Sequence, residues 1–227
     1  MNIRILAVTV LLALLAPSVT HAIIKSWDTG SGTIYRLHVT QDVAIESPSG
    51  NHNNLPYLLV GKHPRYPNKR SLLQFESPPR SGCQIQWAKM YMYFVYAHKA
   101  SWHSPHQAPY LNRDIMIHRV LKPWNEGQAN TRYRMSNYPW SQLYLGLDGT
   151  DAENMPQSPS TTMFSYRPSG FVEFDVTRAV KDWAGGSPNY GLVVRVKDES
   201  VDGRGLRFAS NADPDSQHHA FIHVKCA

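Results

Sequence analysis

Residues 171–196 combine several local signals that agree on one small structure. Apolar and acidic residues alternate over residues 172–176, the period of two that is typical of a strand with one buried face. Gly185-Gly186 can end a short helix near residues 177–184, because glycine adopts positive φ angles without a steric penalty. The β-branched run 192–196 favours a second strand. The stretch therefore predicts a strand, a short helix and a strand, which together connect two core strands.

The predicted helix has a cap at its start and an apolar side. We expect Asp175 or Thr177 to cap the first turn, because a side-chain oxygen there can accept a hydrogen bond from a free backbone N–H. Val180 and Trp183 lie three residues apart, so they share one side of the helix. Both are predicted to face the core.

The same stretch contains two motifs, F-D-V-T-x-x-V-x-x-W at residues 174–183 and N-Y-G-L-x-x-R at residues 189–195. They resemble the DNRLRE-type domain, a β-sandwich family described as a carbohydrate-binding module. Other segments are similar to successive strands of that family, in the same order: 57–61, 70–75, 85–93, 117–120, 124–127, 206–210 and 220–224. The resemblance covers about residues 43–225 and implies the fold more firmly than the function.

The rest of the chain also predicts strands. Between residues 34 and 79, short apolar segments alternate with Pro, Gly and Asn, which is typical of an all-β chain. The longest predicted strand spans residues 85–96. Its alternation puts Trp87 and Tyr91 on one side and Met90 on the other, so we expect both sides to be covered. We predict an all-β fold, a jelly-roll-like antiparallel β-sandwich with one short helix.

The N-terminus predicts a secretory signal peptide at residues 1–22. Arg4 precedes the apolar run 5–15, which is too short to span a bilayer, and Ala22 ends a suitable cleavage site. A membrane anchor is the less favoured alternative. We expect residues 23–227 to form one secreted, extracellular domain without a membrane span.

Cys83 and Cys226 are the two cysteines of the chain. Because secretion exposes them to an oxidising compartment, we expect them to pair. Closing so long a loop would contribute about 4 kcal/mol through lost chain entropy. Two free thiols or an intermolecular link are the alternative.

The formal net charge of +6 makes the chain mildly basic. Most basic residues are dispersed and no nucleic-acid-binding motif is present, so no nucleic-acid partner is predicted. One loop concentrates positive charge and is the predicted polyanion contact. Its basic residues are Lys62, Arg65, Lys69 and Arg70. Ordinary solvated charge is the alternative interpretation.

Residues 128–169 form a long connection rich in Pro and Gly, the kind of segment where binding loops are common. Aromatic side chains in and before it could stack on sugar rings, with Asn and Glu as hydrogen-bond partners of hydroxyl groups. The predicted ligand-binding residues are Trp102, Trp124, Asn125, Glu126, Trp140 and Tyr144. The alternative is that these aromatic rings cover the core.

No metal, no cofactor and no catalytic residue is predicted. His98, His103 and His106 share one loop but lack the spacing of a metal motif. A calcium ion at Asp148 and Asp151 is a less favoured alternative. Glu126 could act with either aspartate across a glycosidic bond, but nothing in the sequence sets their separation.

These observations predict a secreted, non-catalytic binding domain whose partner is an extracellular polysaccharide, including an acidic one. The second hypothesis is a structural component of an extracellular, skeletal or shell organic matrix that contacts an acidic matrix polymer. The third is a secreted polysaccharide hydrolase or lyase. The sequence does not define the oligomeric state.

Overall fold

The computed structural model of the chain describes residues 25–46, 51–63, 66–80, 82–97, 113–163, 168–200 and 205–227. The predicted signal peptide lies outside these ranges. No helix in the described ranges is both long and apolar enough to cross a membrane. The elements in these ranges are β1 Lys25–Asp28, β2 Thr33–Ile45, β3 Tyr57–His63, β4 Tyr66–Phe75, β5 Ile85–Ala97, β6 Arg113–Arg119, β7 Tyr133–Met135, β8 Tyr138–Pro139, β9 Thr161–Met163, β10 Gly170–Asp175, α1 Thr177–Ala184, β11 Leu192–Val196, β12 Leu206–Ala209 and β13 Phe221–Cys226.

Every strand pair in these ranges is antiparallel, and β2 and β3 each pair with two strands of the barrel in succession. β2 pairs with β13 along residues 33–38 and with β4 along residues 39–45. β3 pairs first with β12 and then with β4. The pairings therefore run from β2 through β13, β5, β12, β3 and β4 back to β2, and close six strands into a barrel. The all-β fold is confirmed, whereas the two-sheet sandwich stays a prediction.

The main core lies inside the ring of strands. Inward-facing residues of β5 alternate with outward-facing ones, so Met90, Met92 and Phe94 are fully buried. Phe174 from β10 and Trp183 from α1 join the same cluster. The predicted short helix and its core-facing side are confirmed, because α1 turns Val180 and Trp183 inward.

The start of α1 follows the prediction in part. Val176 occupies the N-cap position and makes no side-chain capping bond. The Thr177 hydroxyl instead accepts a hydrogen bond from the Ala88 backbone N–H at 2.9 Å. Asp175 accepts from the Thr177 N–H, at the first helical residue. The prediction is confirmed for Asp175, whose side chain accepts from a backbone N–H of the first turn, and wrong for Thr177, whose hydroxyl binds the neighbouring strand β5.

Two glycines shape the chain between α1 and β11. Gly186 has a φ of 103° directly after the helix, and Ser187 N–H donates to the Asp182 carbonyl at 3.0 Å. This arrangement is a Schellman motif, which satisfies the last carbonyls of the helix. A Cβ on Gly191 would lie 2.0 Å from the Leu73 carbonyl oxygen, so the approach of the chain to β4 requires glycine.

A second apolar cluster lies on the outer side of β2, β4 and β11. Residues 120–152, which we call the covering segment, fold back over outward-facing side chains such as Leu72 and Val193. Trp124, Trp140 and Leu145 of the covering segment pack into this cluster. The long connection predicted to carry binding loops therefore contributes a second core. We call the surface beneath it the covered face.

The predicted disulfide is confirmed. Cys83 and Cys226 are bonded, with their Cα atoms 5.0 Å apart. The bond ties the end of β13 to the segment just before β5, across a sequence separation of 143 residues. It fastens two strands that also pair directly.

Candidate functional site

The outer side of β1, β13, β5, β10 and β12, with the first parts of β2 and β3, carries many aromatic side chains. Strand register places Glu173, Tyr91 and Phe221 in one row across three strands. Because side chains alternate along a strand, these residues point away from the main core. We call this surface the open face. Its aromatic and charged members are Trp27, Arg36, Tyr57, Trp87, Lys89, Tyr91, Tyr93, Tyr96, Phe171, Glu173, Arg207, Phe221 and His223.

The rings of the open face form a continuous row. Tyr91 stacks on Phe221 with ring centroids 5.0 Å apart, and Trp27 meets His223 edge to face at 5.0 Å. Phe171 contacts Phe221 at 5.4 Å. Trp27 is 42% exposed and Phe171 is 38% exposed. The row therefore offers partly open ring surfaces from β1 to β10.

Two arginines lie on this surface against aromatic rings. The guanidinium of Arg36 lies 3.8 Å from the Phe221 ring centroid, and that of Arg207 lies 4.0 Å from the Tyr57 centroid. The Nε atom of each arginine is buried without a hydrogen-bond partner. Neither arginine forms an ion pair within the described ranges. Cation–π contact orients both groups while leaving their charge unneutralised.

The other charged residues of the open face pair with each other. Lys89 forms an ion pair with Glu173, which also accepts a hydrogen bond from the Tyr91 hydroxyl at 2.9 Å. The positive charge of Lys89 is therefore balanced locally. The unbalanced positive charge of the surface comes from the two arginines.

Two titratable rings of the open face, those of His223 and Tyr91, are neutral at neutral pH. Burial and the charge of Arg36 lower the pKa of His223 to about 4. Burial, helped by the hydrogen bond to Glu173, raises the pKa of Tyr91 to about 12. At pH 7 these rings present uncharged aromatic surface.

Trp124 and Trp140, which were predicted to stack on sugar rings, are buried in the second cluster. Trp124 lies in the second cluster and its indole N–H donates to the Tyr190 carbonyl at 2.8 Å. Trp140 lies in the same cluster and donates to the Asn130 carbonyl at 2.9 Å. The prediction of free ring faces is wrong for both residues, because they pack between the covering segment and the barrel.

The remaining predicted ligand-binding residues do not form one surface. Asn125 is exposed, whereas Tyr144 is half-buried and its carbonyl accepts from Arg70. Glu126 accepts from the Asp42 N–H at 3.1 Å and from the Asn211 side chain at 3.2 Å. Trp102 lies outside the described residues. Sugar binding by these residues stays a prediction.

The predicted polyanion contact is also corrected in part. Lys69 forms an ion pair with Glu46. Arg70 is buried, binds both carboxylate oxygens of Glu199, and donates to the carbonyls of Tyr144 and Leu145. Both charges are therefore neutralised within the protein. The Lys62 side chain and Arg65 lie outside what the structure describes.

Sequence reasoning missed the open face, although its signal is present. The outward side of β5 was identified from its alternation but was expected to be covered. Aromatic residues at outward positions of three paired strands, such as Tyr91, Phe171 and Phe221, were the available indication. The two unpaired arginines give no comparable sequence signal, because pairing depends on distant residues.

Comparison with known proteins adds no relative, because no family model and no curated protein matches the chain. The resemblance to the DNRLRE-type domain therefore stays a prediction. No group of three His, Cys, Asp or Glu side chains within the described ranges is placed to hold a metal ion. The loop with His98, His103 and His106 lies outside those ranges.

Proposed function

We propose that this protein is a secreted, non-catalytic binding domain for an extracellular acidic polysaccharide, and that the open face is its binding surface. One observation carries the proposal: two arginines lie against aromatic rings of the open face, and neither forms an ion pair within the described ranges. The proposal includes a DNRLRE-type, jelly-roll-like sandwich, which the sequence motifs and the antiparallel strands support. The disulfide and the signal-like N-terminus support secretion.

Aromatic residues and arginines supply complementary contacts to a charged sugar polymer. Aromatic rings bury large apolar areas and can pack against the C–H faces of sugar rings. Guanidinium groups bind carboxylates or sulfates through two parallel hydrogen bonds. Because Arg36 and Arg207 already rest against rings, binding would cost little side-chain entropy.

The spacing of the arginines fits an extended ligand. Arg36 lies in the row of Lys89, and Arg207 lies opposite Tyr96. Seven residues of β5 separate these rows, which corresponds to roughly 23 Å at the usual rise of a strand. A chain of several sugars would be needed to contact both arginines.

The electrostatics of the open face favour binding over turnover. A lyase requires a base that accepts a proton near neutral pH. The lowered pKa of His223 and the raised pKa of Tyr91 make neither group suited to that task. A hydrolase or lyase would be established only by product formation, which a turnover assay with the same polymers would detect.

The test measures binding of the oxidised domain to a polyuronate and to a neutral polymer of similar length, at low and physiological salt. We expect saturable binding to the polyuronate that persists at physiological salt. Arg36→Gln should weaken it roughly 10- to 100-fold, the value of a charge-assisted hydrogen bond. The matched control is Arg132→Gln, an exposed arginine on the covering segment.

Three outcomes would contradict the proposal. They are equal affinity for the neutral polymer, equal losses in the Arg36 and Arg132 variants, and binding that disappears at physiological salt. The last result, with co-extraction of the protein in an insoluble matrix fraction, would support the structural-matrix hypothesis.

A further inference from the structure

Two carboxylates meet where β2 lies beneath the covering segment. The backbone N–H of Asp42 donates to Glu126 Oε1 at 3.1 Å. Asn211 binds both acids, because its backbone N–H donates to Asp42 Oδ2 at 2.7 Å and its side chain donates to Glu126 Oε1 at 3.2 Å. The two acidic side chains are therefore held against the same residue.

Asp42 is buried without a matching charge. Asp42 is only 1% exposed, and its Oδ1 atom has no hydrogen-bond partner. Within the described ranges, no Lys, Arg or His forms an ion pair with Asp42 or Glu126. A buried carboxylate in this state is costly, because neither solvent nor a counter-charge compensates for its lost hydration. Burial, with a contribution from the charge of Glu126, raises the pKa of Asp42 to about 7.

A buried carboxylate elsewhere in the chain shows the ordinary solution. Asp151 is also buried, and its Oδ2 accepts three hydrogen bonds. They come from the Ser141 N–H at 2.7 Å, the Ser141 hydroxyl at 2.6 Å and the Gly146 N–H at 2.8 Å. Asp151 thus organises its loop through donors from the protein. Asp42 has such a donor on Oδ2 but none on Oδ1.

We propose that a hard divalent cation, with Ca²⁺ as the best fit, binds between Asp42 Oδ1 and Glu126. Calcium takes oxygen ligands in flexible geometry, and carboxylates of Asp and Glu are its usual protein ligands. The turn around Glu126 is rich in amides, including Asn51, which donates to the Glu126 carbonyl at 2.6 Å, and Asn125. Amide oxygens and water would complete the coordination.

The proposed ion would fasten the covering segment to the barrel. Asp42 belongs to β2 and Glu126 belongs to the covering segment, so one cation would neutralise charge from both parts. With only two acidic ligands, the expected dissociation constant is on the order of 10⁻⁴–10⁻³ M, as in extracellular calcium modules. This role does not depend on the proposed polysaccharide binding.

The experiment compares thermal unfolding of the full oxidised domain after chelation, at pH 8, during titration with CaCl₂. We expect the Tm to rise by about 3–5 °C for each tenfold increase in calcium above the dissociation constant. Calorimetric titration should give one site per chain. MgCl₂ at equal ionic strength should act more weakly, because Mg²⁺ requires stricter octahedral geometry.

Three variants make the assignment specific. Asp42→Asn should abolish the rise of Tm with calcium. Glu126→Gln should lower the affinity for calcium at least tenfold. This second variant keeps the test decisive if Asp42→Asn does not fold. Asp148→Asn, which alters an exposed loop carboxylate, should leave the response intact. The proposal is overturned if the wild-type protein does not respond to calcium, or if Asp42→Asn responds equally. If the wild-type protein does not respond to calcium and the Asp42→Asn variant is more stable than the wild type, a proton rather than a cation neutralises Asp42.

Discussion

The covered face and the open face use the same residue types for different purposes. On the covered face, Trp124 and Trp140 are buried and their N–H groups are bonded to backbone carbonyls. On the open face, Trp27 and Phe171 keep 42% and 38% of their surface exposed. Aromatic rings stabilise the fold where a second segment covers them, and stay accessible to solvent where none does.

The arginines of the two regions differ in the same way. Arg70, beside the covering segment, binds both oxygens of Glu199 and two carbonyls. Arg36 on the open face contacts a ring and has no ion pair in the described part of the chain. A guanidinium without a carboxylate is available for an external anion, whereas a saturated one is structural.

The largest expected effect concerns tryptophan. Trp124→Ala should lower the free energy of unfolding by about 3–5 kcal/mol, because it empties the second cluster and leaves the Tyr190 carbonyl without its donor. Trp27→Ala on the open face should cost less than about 1 kcal/mol. Urea unfolding of both variants measures the difference. Similar values for the two would remove the distinction between the faces.

Substitution of an arginine should also lower the free energy of unfolding much more on the covered face than on the open face. Arg70→Gln should destabilise the protein by about 3 kcal/mol, because it leaves two carbonyls without their donor and leaves Glu199 with only the more distant Arg195, at 3.9 Å. Arg36→Gln should change stability by less than about 1 kcal/mol, the value of an exposed cation–π contact. Urea unfolding is again the measurement. A stable Arg70 variant would show that the covered region does not depend on this ion pair.

A smaller effect is expected on ligand affinity. Phe171→Ala should weaken polyuronate binding roughly 5- to 10-fold, because stacking contacts are worth about 1 kcal/mol beyond the charged contacts. Leu143→Ala, at an exposed apolar residue of the covering segment, is the control and should bind normally. Affinity electrophoresis can compare the two. Equal affinities would place the polymer elsewhere on the molecule.

The stability of the protein should also depend on pH through two histidines. Burial lowers the pKa of His118 and of His223 to about 4. The unfolded chain then binds more protons below its ordinary histidine pKa of about 6.5, so their contribution is constant above that pH and is lost as the pH falls toward 4. His118→Asn should flatten this decline more than His223→Asn, because His118 is the more deeply buried. Urea unfolding between pH 4 and 7 gives both slopes.

Local sequence signals predicted the connection from β10 through α1 to β11 and the pairing of Cys83 with Cys226. Alternation over residues 172–176 and the glycines after the helix involve only neighbouring residues. The disulfide needed only two cysteines and an oxidising compartment. The connection depends on short-range geometry, and the disulfide has only one possible intramolecular pairing, so the order of residues was enough to predict both.

Tertiary structure decided which residues are exposed and which charges are neutralised. Alternation in β5 defines two sides, but only the folding back of residues 120–152 determines which outer surface of the barrel is covered. The sequence alone could not show that the Thr177 hydroxyl binds Ala88 instead of capping the helix. It also could not show that Arg70 pairs with Glu199, which lies 129 residues further along the chain. Burial and pairing depend on contacts between distant parts of the chain, and the candidate binding surface consists of the rings and arginines that such contacts left available.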